Sequence, residues 1–345
     1  MTDKKHFKFT KGRIAAIITA VVVFLLILAL IIINIFIPIR YLSAYFVEEE
    51  EREDGVLAVT FIDVGYGDST LCELPDGKVL LIDGGDGSHQ SMLAILRKLN
   101  ERGVDKIDYL VCTSVLSEYC GGLAEIIQFK EVEHIFMPAV SNSDITEAFS
   151  QFVDEAENSE AEISYCQFGE GATGEDYFFT FLSPSSPDDP LGYYSALNSS
   201  ATDENILNAS AVLWLEYAGR SFAFTSSAGR QALEDIVDSY EITVAAGDKF
   251  APIGNYSVNL EGCDVVSVPG HGREECSSAV WYETLSPSLA VISVGENFSG
   301  YPSAQALADI GSVVDTPLLT SEHGNITVTV NSNGVINTTF SEEEE

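Results

Sequence analysis

Twenty-four consecutive residues without a charge, IAAIITAVVVFLLILALIIINIFI from Ile14 to Ile37, constrain this chain more than any other feature. As an α-helix rising ~1.5 Å per residue, the run spans roughly 36 Å, enough for a bilayer hydrocarbon core of about 30 Å with some tilt. Asn34 is its one strongly polar residue and lies near the far end, within reach of interfacial water; Pro38 and Arg40 then end the helix. A cleaved signal peptide is the competing reading, but signal h-regions run only ~7–15 residues. No small-x-small cleavage site precedes the acidic stretch that follows, so the run is read as an uncleaved anchor. Lys4, Lys5, Lys8, Lys11 and Arg13 precede it and EEEERED follows it. By the positive-inside rule the N-terminus is then cytoplasmic, and the chain after Tyr41 is extracytoplasmic in a single-pass cell-membrane protein.

The charge is lopsided in the same sense. Of 17 Lys and Arg and 53 Asp and Glu, six bases and one acid precede Tyr41, which leaves 11 bases against 52 acids for residues 41–345, a net of −41. Residues 1–13 read as a basic cytoplasmic N-terminus, 14–39 as the transmembrane helix and 40–55 as an acidic linker whose like charges hold it extended. Residues 56–340 read as one folded domain and 341–345, SEEEE, as a disordered acidic tail. Residues 141–204, with the cluster SPSSPDDP, read as loops and edge elements.

Within the domain, strands alternate with helices. LAVTFIDV and KVLLIDGG read as strands joined by a hairpin at Pro75-Asp76-Gly77. SMLAILRKLNERG places Met92, Leu93, Ile95, Leu96 and Leu99 at helical spacing and stops at Gly103. DYLVCT, EHIFMP, DVVSVP and LAVISVG read as further strands, LAEIIQF, RQALEDIVDSY, AVWYETL and SAQALADIG as helices. Hairpins turn at Ala218-Gly219 and within NITVTVNSNGVINTTF. The count suits an α/β four-layer sandwich better than a single open sheet.

The loop TSVLSEYCGGL, Thr113 to Leu123, closes one strand and opens a helix, as a metal loop does, yet offers one carboxylate, one phenol, one thiol and no histidine. Three separated stretches place it. FIDVGYGDSTLCELPDGKVLLIDGG, the segment from Asn205 through FTSSAG, and VPGHGREECSSAVWYETLSPSLAVISVGENFSGYPS together resemble the metallo-β-lactamase-fold domain of the ComEC/Rec2 competence protein family. The resemblance covers nearly all of 56–335 and implies the metallo-β-lactamase-like αββα sandwich. It also implies that the ligand positions have changed. The family's loop reads like THPHSDHIGGL, so its first two histidines fall on Ser114 and Leu116, its aspartate on Glu118 and its third histidine on Tyr119. The bridging aspartate falls on Ser227, and the histidine of the last motif on Tyr301. His271 alone is kept, with Gly270 before it. Asp63, Asp68, Asp83, Gly84 and Gly85 match non-ligand motifs, the first and third aspartates expected to shape turns at strand ends and Asp68 to cap one.

A catalytic Zn²⁺ takes about three protein ligands from imidazole, thiolate or carboxylate, plus a water. Leucine offers no donor and a serine hydroxyl is a poor one, so no metal is expected. The alternative is one Zn²⁺ or Mn²⁺ at Glu118 and His271, with Cys120 as a third candidate. Without a metal, nothing lowers the pKa of a water from 15.7 to about 7. A Ser-His-acid arrangement of His271, Ser114, Ser227 and Glu118 is conceivable, but no G-x-S-x-G elbow is present and the reading of leftover polar residues lining a cavity is preferred.

None of the six cysteines forms a CxxC pair, and Cys72 and Cys112 read as small buried hydrophobes. Because the former metal loop and the loop carrying His271 converge in the family fold, the resemblance suggests a Cys120–Cys276 disulfide in place of the metal. Broad negative charge repels phosphates, so nucleic acid is an improbable partner. The expectation is a membrane-anchored pseudoenzyme that binds a cationic protein, peptide or envelope ligand, or serves as an envelope scaffold. A hydrolase, phosphodiesterase or nuclease, with an atypical or single-metal site is the alternative.

Overall fold

The computed structural model describes residues 11–36, 39–141, 145–247 and 250–341. Most of the basic N-terminus (1–10), Pro38 and the last four residues of the acidic tail lie outside these. The apolar run forms one continuous helix, α1 (Lys11–Phe36), long and apolar enough to cross a membrane and with its described side chains exposed along Lys11–Ile32.

Among the described residues the next element is a 3-10 segment, Ile39–Tyr45, which leads to β1 (Leu57–Phe61), β2 (Thr70–Glu73), β3 (Val79–Ile82), α2 (His89–Glu101), β4 (Lys106–Val111), α3 (Ser117–Cys120), α4 (Leu123–Phe129) and β5 (Glu131–Met137). Next come α5 (Glu147–Asn158), β6 (Glu162–Tyr165), β7 (Gly171–Thr173), β8 (Tyr177–Ser183), α6 (Tyr193–Ser199), α7 (Asp203–Asn208), β9 (Val212–Tyr217), β10 (Arg220–Phe224) and α8 (Arg230–Ala245). The chain closes with β11 (Ala251–Ile253), β12 (Tyr256–Val258), β13 (Val265–Ser267), α9 (Ala279–Leu285), β14 (Leu289–Ile292), α10 (Ala304–Ile310), β15 (Leu318–Leu319), α11 (Thr320–His323), β16 (Ile326–Val330) and β17 (Ile336–Phe340).

The strands form two mixed sheets, β17-β16-β1-β2-β3-β4-β5-β6 and β15-β14-β13-β10-β9-β8-β7, with β11-β12 a separate hairpin. Period-two alternation divides the side chains between layers. Val59, Phe61, Leu80 and Val111 meet Phe179, Phe181, Leu213 and Phe222 between the sheets. The opposite faces, such as Leu81 and Leu110, pack under α2, α4 and α5, whereas Trp214, Ala223 and Val266 pack under α8, α9 and α10. The order helix, sheet, sheet, helix is the expected αββα sandwich.

Two expectations are corrected. Residues 141–204 are not mainly loop: they contain α5 and β8, and Phe179 and Phe181 of β8 are fully buried in the central core. Nor is 40–55 a free linker. Tyr41 is buried and stacks on His89 at 5.2 Å, and its hydroxyl donates to Glu125 at 2.7 Å. Asn100 donates to the Ala44 carbonyl at 2.9 Å, Glu50 N–H to the Glu101 carbonyl at 2.8 Å, and Arg102 pairs with Glu50 at 2.7 Å. These partners lie far away in sequence, so composition alone registers only the repelling acids.

Candidate functional site

Loops from both sheets converge at one end of the sandwich. After β3 the backbone turns sharply, with Asp83 at φ 62 and Gly85 at φ 64. A Cβ on Gly84 would come within 2.8 Å of the Leu123 nitrogen, and one on Gly85 within 2.1 Å of Ser91 Oγ. Glycine thus lets the turn press against the 113–123 loop, where Gly84 N–H donates to the Tyr119 carbonyl at 2.7 Å and Gly121 N–H to the Gly85 carbonyl at 3.0 Å. The Asp83 carboxylate accepts from Thr113 N–H at 2.8 Å and pairs with Thr113 Oγ1 at 2.5 Å; Thr113 Oγ1 in turn meets Ser226 Oγ at 2.5 Å. Burial, then the neighbouring Asp68, pushes its pKa well up. Asp63 accepts from Gly65 N–H at 3.1 Å in a tight turn.

Asp68 does not cap a turn with its carboxylate. It is buried, accepts from Ser293 Oγ at 3.2 Å, and burial pushes its pKa up to about 7. Only its backbone serves the loops, donating to the Glu118 carbonyl at 3.0 Å and accepting from Gly85 N–H at 2.8 Å.

At the centre lie three hydroxyls. Ser114, Ser210 and Ser227, each about fully buried, form a triangle with Oγ–Oγ distances of 3.1 Å (114–210), 2.8 Å (210–227) and 3.0 Å (114–227). The single Ser210 proton is shared between Ser114 Oγ and the Ile206 carbonyl, the latter at 3.0 Å near the end of α7. Ser210 stands in NASAVLW after α7 and was not singled out by sequence. α7, capped by Thr202 accepting from Asn205 N–H at 3.2 Å, carries Asn205 and Asn208 ahead of the hairpin expected at Ala218-Gly219, which forms as β9-β10.

Beside the triangle stands a wall of rings. Tyr119 is buried and lies nearly flat on His271, with centroids 5.2 Å apart and planes at 21°; Tyr66 leans on the same imidazole at 5.0 Å. The Tyr119 hydroxyl donates to the Ser226 carbonyl at 3.4 Å. His271, at φ 59, makes a 2.7 Å hydrogen bond from Nδ1 to the Ser293 carbonyl, and its Nε2 is buried with no partner among the described residues. Burial pushes its pKa down to about 4, so the ring is neutral near pH 7. Outside the wall, Arg273 reaches Glu118 at 3.7 Å and lies over the half-buried Tyr301 ring at 5.5 Å. Leu116 precedes α3, is half-buried, and belongs to no core cluster among the described residues; Tyr119, not this leucine, supplies the buried bulk.

The proposed disulfide does not form. All six cysteines are free and buried, Cys120 Sγ facing the Val115 carbonyl at 3.7 Å and Cys276 Sγ the Ser227 carbonyl at 3.5 Å. Burial pushes both thiols up to about 12.

The donor set does not fit a catalytic zinc. Three hydroxyls satisfy one another, the phenol is stacked, and Glu118 is turned to a guanidinium. Among the described residues no group of three or more His, Cys, Asp or Glu is placed to hold a metal ion. The serines also lack the geometry of a Ser-His nucleophile, since their hydroxyls meet each other while His271 Nε2, the nitrogen left over by the Nδ1 bond to Ser293, reaches no hydroxyl among the described residues.

Two facing mixed sheets flanked by helices, with convergent loops at one end, define a four-layer αββα sandwich. The chain is similar to ComE operon protein 3 of Bacillus subtilis (strain 168), 23% identical over 255 residues, which are 69% of this chain and 28% of that protein. It therefore spans about a quarter of the length of the curated relative it matches. No family model matches it. Similar solved structures include the metallo-β-lactamase fold protein YhfI from Bacillus subtilis, with a TM-score of 0.42 at 9% identity, over 76% of this chain and 95% of that one. A diphosphatase from the PhnP family has a TM-score of 0.43 at 12% identity, over 83% of this chain and 100% of that one. Likeness at this level carries nothing about chemistry.

Proposed function

We propose that this chain is a membrane-anchored, extracytoplasmic binding protein built on a ComEC-like metallo-β-lactamase frame whose hydrolase centre has become a closed polar core. One observation carries the reading: Ser114, Ser210 and Ser227 satisfy one another where a metal would need nitrogen or carboxylate donors. The charge-free run 14–37 and its flanking charges support the anchor and its orientation. A net charge of −41 after residue 40 favours cationic peptides or basic envelope components over nucleic acid. A plain envelope scaffold shares the frame but makes no demand on ligand charge.

The test is hydrolysis of bis(p-nitrophenyl) phosphate by the purified full chain with excess Zn²⁺ or Mn²⁺. Turnover at the metal-only background is expected. A rate that saturates with substrate and disappears in His271→Ala would instead support a single-metal hydrolase using Glu118 and His271.

A further inference from the structure

Away from the serine triangle, a groove of about 330 Å³ runs along α8 between the 183–193 loop and the β11-β12 hairpin. Its floor is the outer surface of the core under the second sheet, formed by Leu182, Ile236, Ile253 and Leu260. The hairpin is held in place, since Tyr256 stacks on Phe178 at 4.9 Å and 9°, and the Gly169 and Gly254 backbones are close enough that a Cβ on Gly169 would meet Gly254 Cα at 2.6 Å. The wall is thus a built element.

The rim is unusual for so polar a surface. Leu191 is 95% exposed and Phe168 47% exposed, and both line the groove. Ile242 on α8 and Phe250 just before β11 are exposed on the same elements. Leu191 and Phe168, exposed on the lip of a concavity with an apolar floor, mark an interaction surface rather than scattered exposure. The charges there have one sign. Asp189 and Asp235 line the groove, and none of its described lining residues is Lys, Arg or His. Asp235 is fixed, accepting from the Tyr193 hydroxyl and from Gln231 at 2.7 Å. The volume lies at the low end for small-molecule pockets, and suits one or two apolar anchor side chains of a larger partner.

We infer that this groove docks an amphipathic peptide segment of a partner protein, inserting apolar anchors over α8 while flanking lysines or arginines face Asp189 and Asp235. This deepens the binding reading above, and rests on it only for the sign of the partner's charge.

The experiment uses the full chain in nanodiscs of zwitterionic lipid and two dye-labelled helical peptides with the same leucine pattern, one bearing lysines and one glutamates on the polar face. Fluorescence anisotropy is expected to give at least about tenfold tighter binding of the lysine peptide. Phe168→Ser with Leu191→Ser changes only exposed side chains and should weaken it about tenfold, hot-spot anchors dominating such contacts. Asp189→Asn, which keeps the oxygen that accepts from Leu191 N–H, should weaken it several-fold at low salt. Unchanged affinity in the double serine variant would overturn the groove, leaving only diffuse attraction to an acidic surface. Equal binding of the glutamate peptide, or none of the lysine peptide, would overturn the partner's chemistry. None of these results depends on metal or hydrolysis at the serine triangle, so the two readings fail separately.

Discussion

Tyr119, which the resemblance aligns with a histidine, lies nearly flat against the imidazole of His271. Its value is mainly in bulk: the hydroxyl bond to Ser226 is long at 3.4 Å, whereas the ring is fully buried. Tyr119→Phe should therefore cost less than about 1 kcal/mol and Tyr119→Ala about 3–5 kcal/mol in chemical denaturation. Equal losses would mean that the phenol is held for its oxygen. The neighbouring ionisable groups give a pH signature. Burial holds Asp68 up to about 7 from 3.8, so between these values the folded chain keeps a proton that the unfolded chain has released. Its stabilisation is present at low pH and lost as pH rises through about 7, at roughly 1.4 kcal/mol per unit. His271, held down to about 4 from 6.5, works the other way, losing stability as pH falls from 6.5 towards 4. The two slopes oppose each other below 6.5. Asp68→Asn should consequently gain stability relative to the parent as pH is raised from 5 to 8 in thermal melts; a constant difference would contradict the burial argument. The meeting of Ser114 with Ser227 and of Tyr119 with His271 follows the register that the resemblance sets through its flanking glycines and aspartates. The full triangle was not legible in the sequence, because Ser210 joins it only when α7 delivers it from another part of the chain.

At the scale of elements, the segment after the membrane helix departs most from its composition. VEEEERED reads as a repelling linker, but Tyr41, Ala44 and Glu50 tie the chain before and within it to α2 and α4. The attraction comes from His89, Asn100, Glu101 and Glu125, none of which is local, so period and propensity carry no trace of it. Tyr41→Ala should cost about 3 kcal/mol by loss of a buried aromatic ring. It should also loosen the backbone of residues 48–53, whose glutamates are already exposed, and so speed cleavage of the native chain by a glutamate-specific protease on gels. Unaltered cleavage would mean that the segment is held without Tyr41. The β8 strand was overlooked for the opposite reason. Its apolar run YFFTFLS is flanked by Ser, Pro and Asp clusters whose composition dominated the window.

For the whole molecule, the proposed orientation and the proposed partner chemistry both rest on the distribution of charge. With six buried cysteines, a membrane-impermeant maleimide should leave the native protein unlabelled, while a Ser341→Cys variant should be labelled on intact cells. Labelling only after permeabilisation would reverse the orientation. Central to the account is a polar core that needs no ion. Elemental analysis of the full chain, purified without chelator and then dialysed, measures this most directly. The account predicts well under one Zn, Mn or Fe per chain, with no thermal stabilisation on adding Zn²⁺ or Mn²⁺. About one equivalent of a tightly held transition metal, lost together with a drop in Tm when His271 is replaced by Ala, would contradict it.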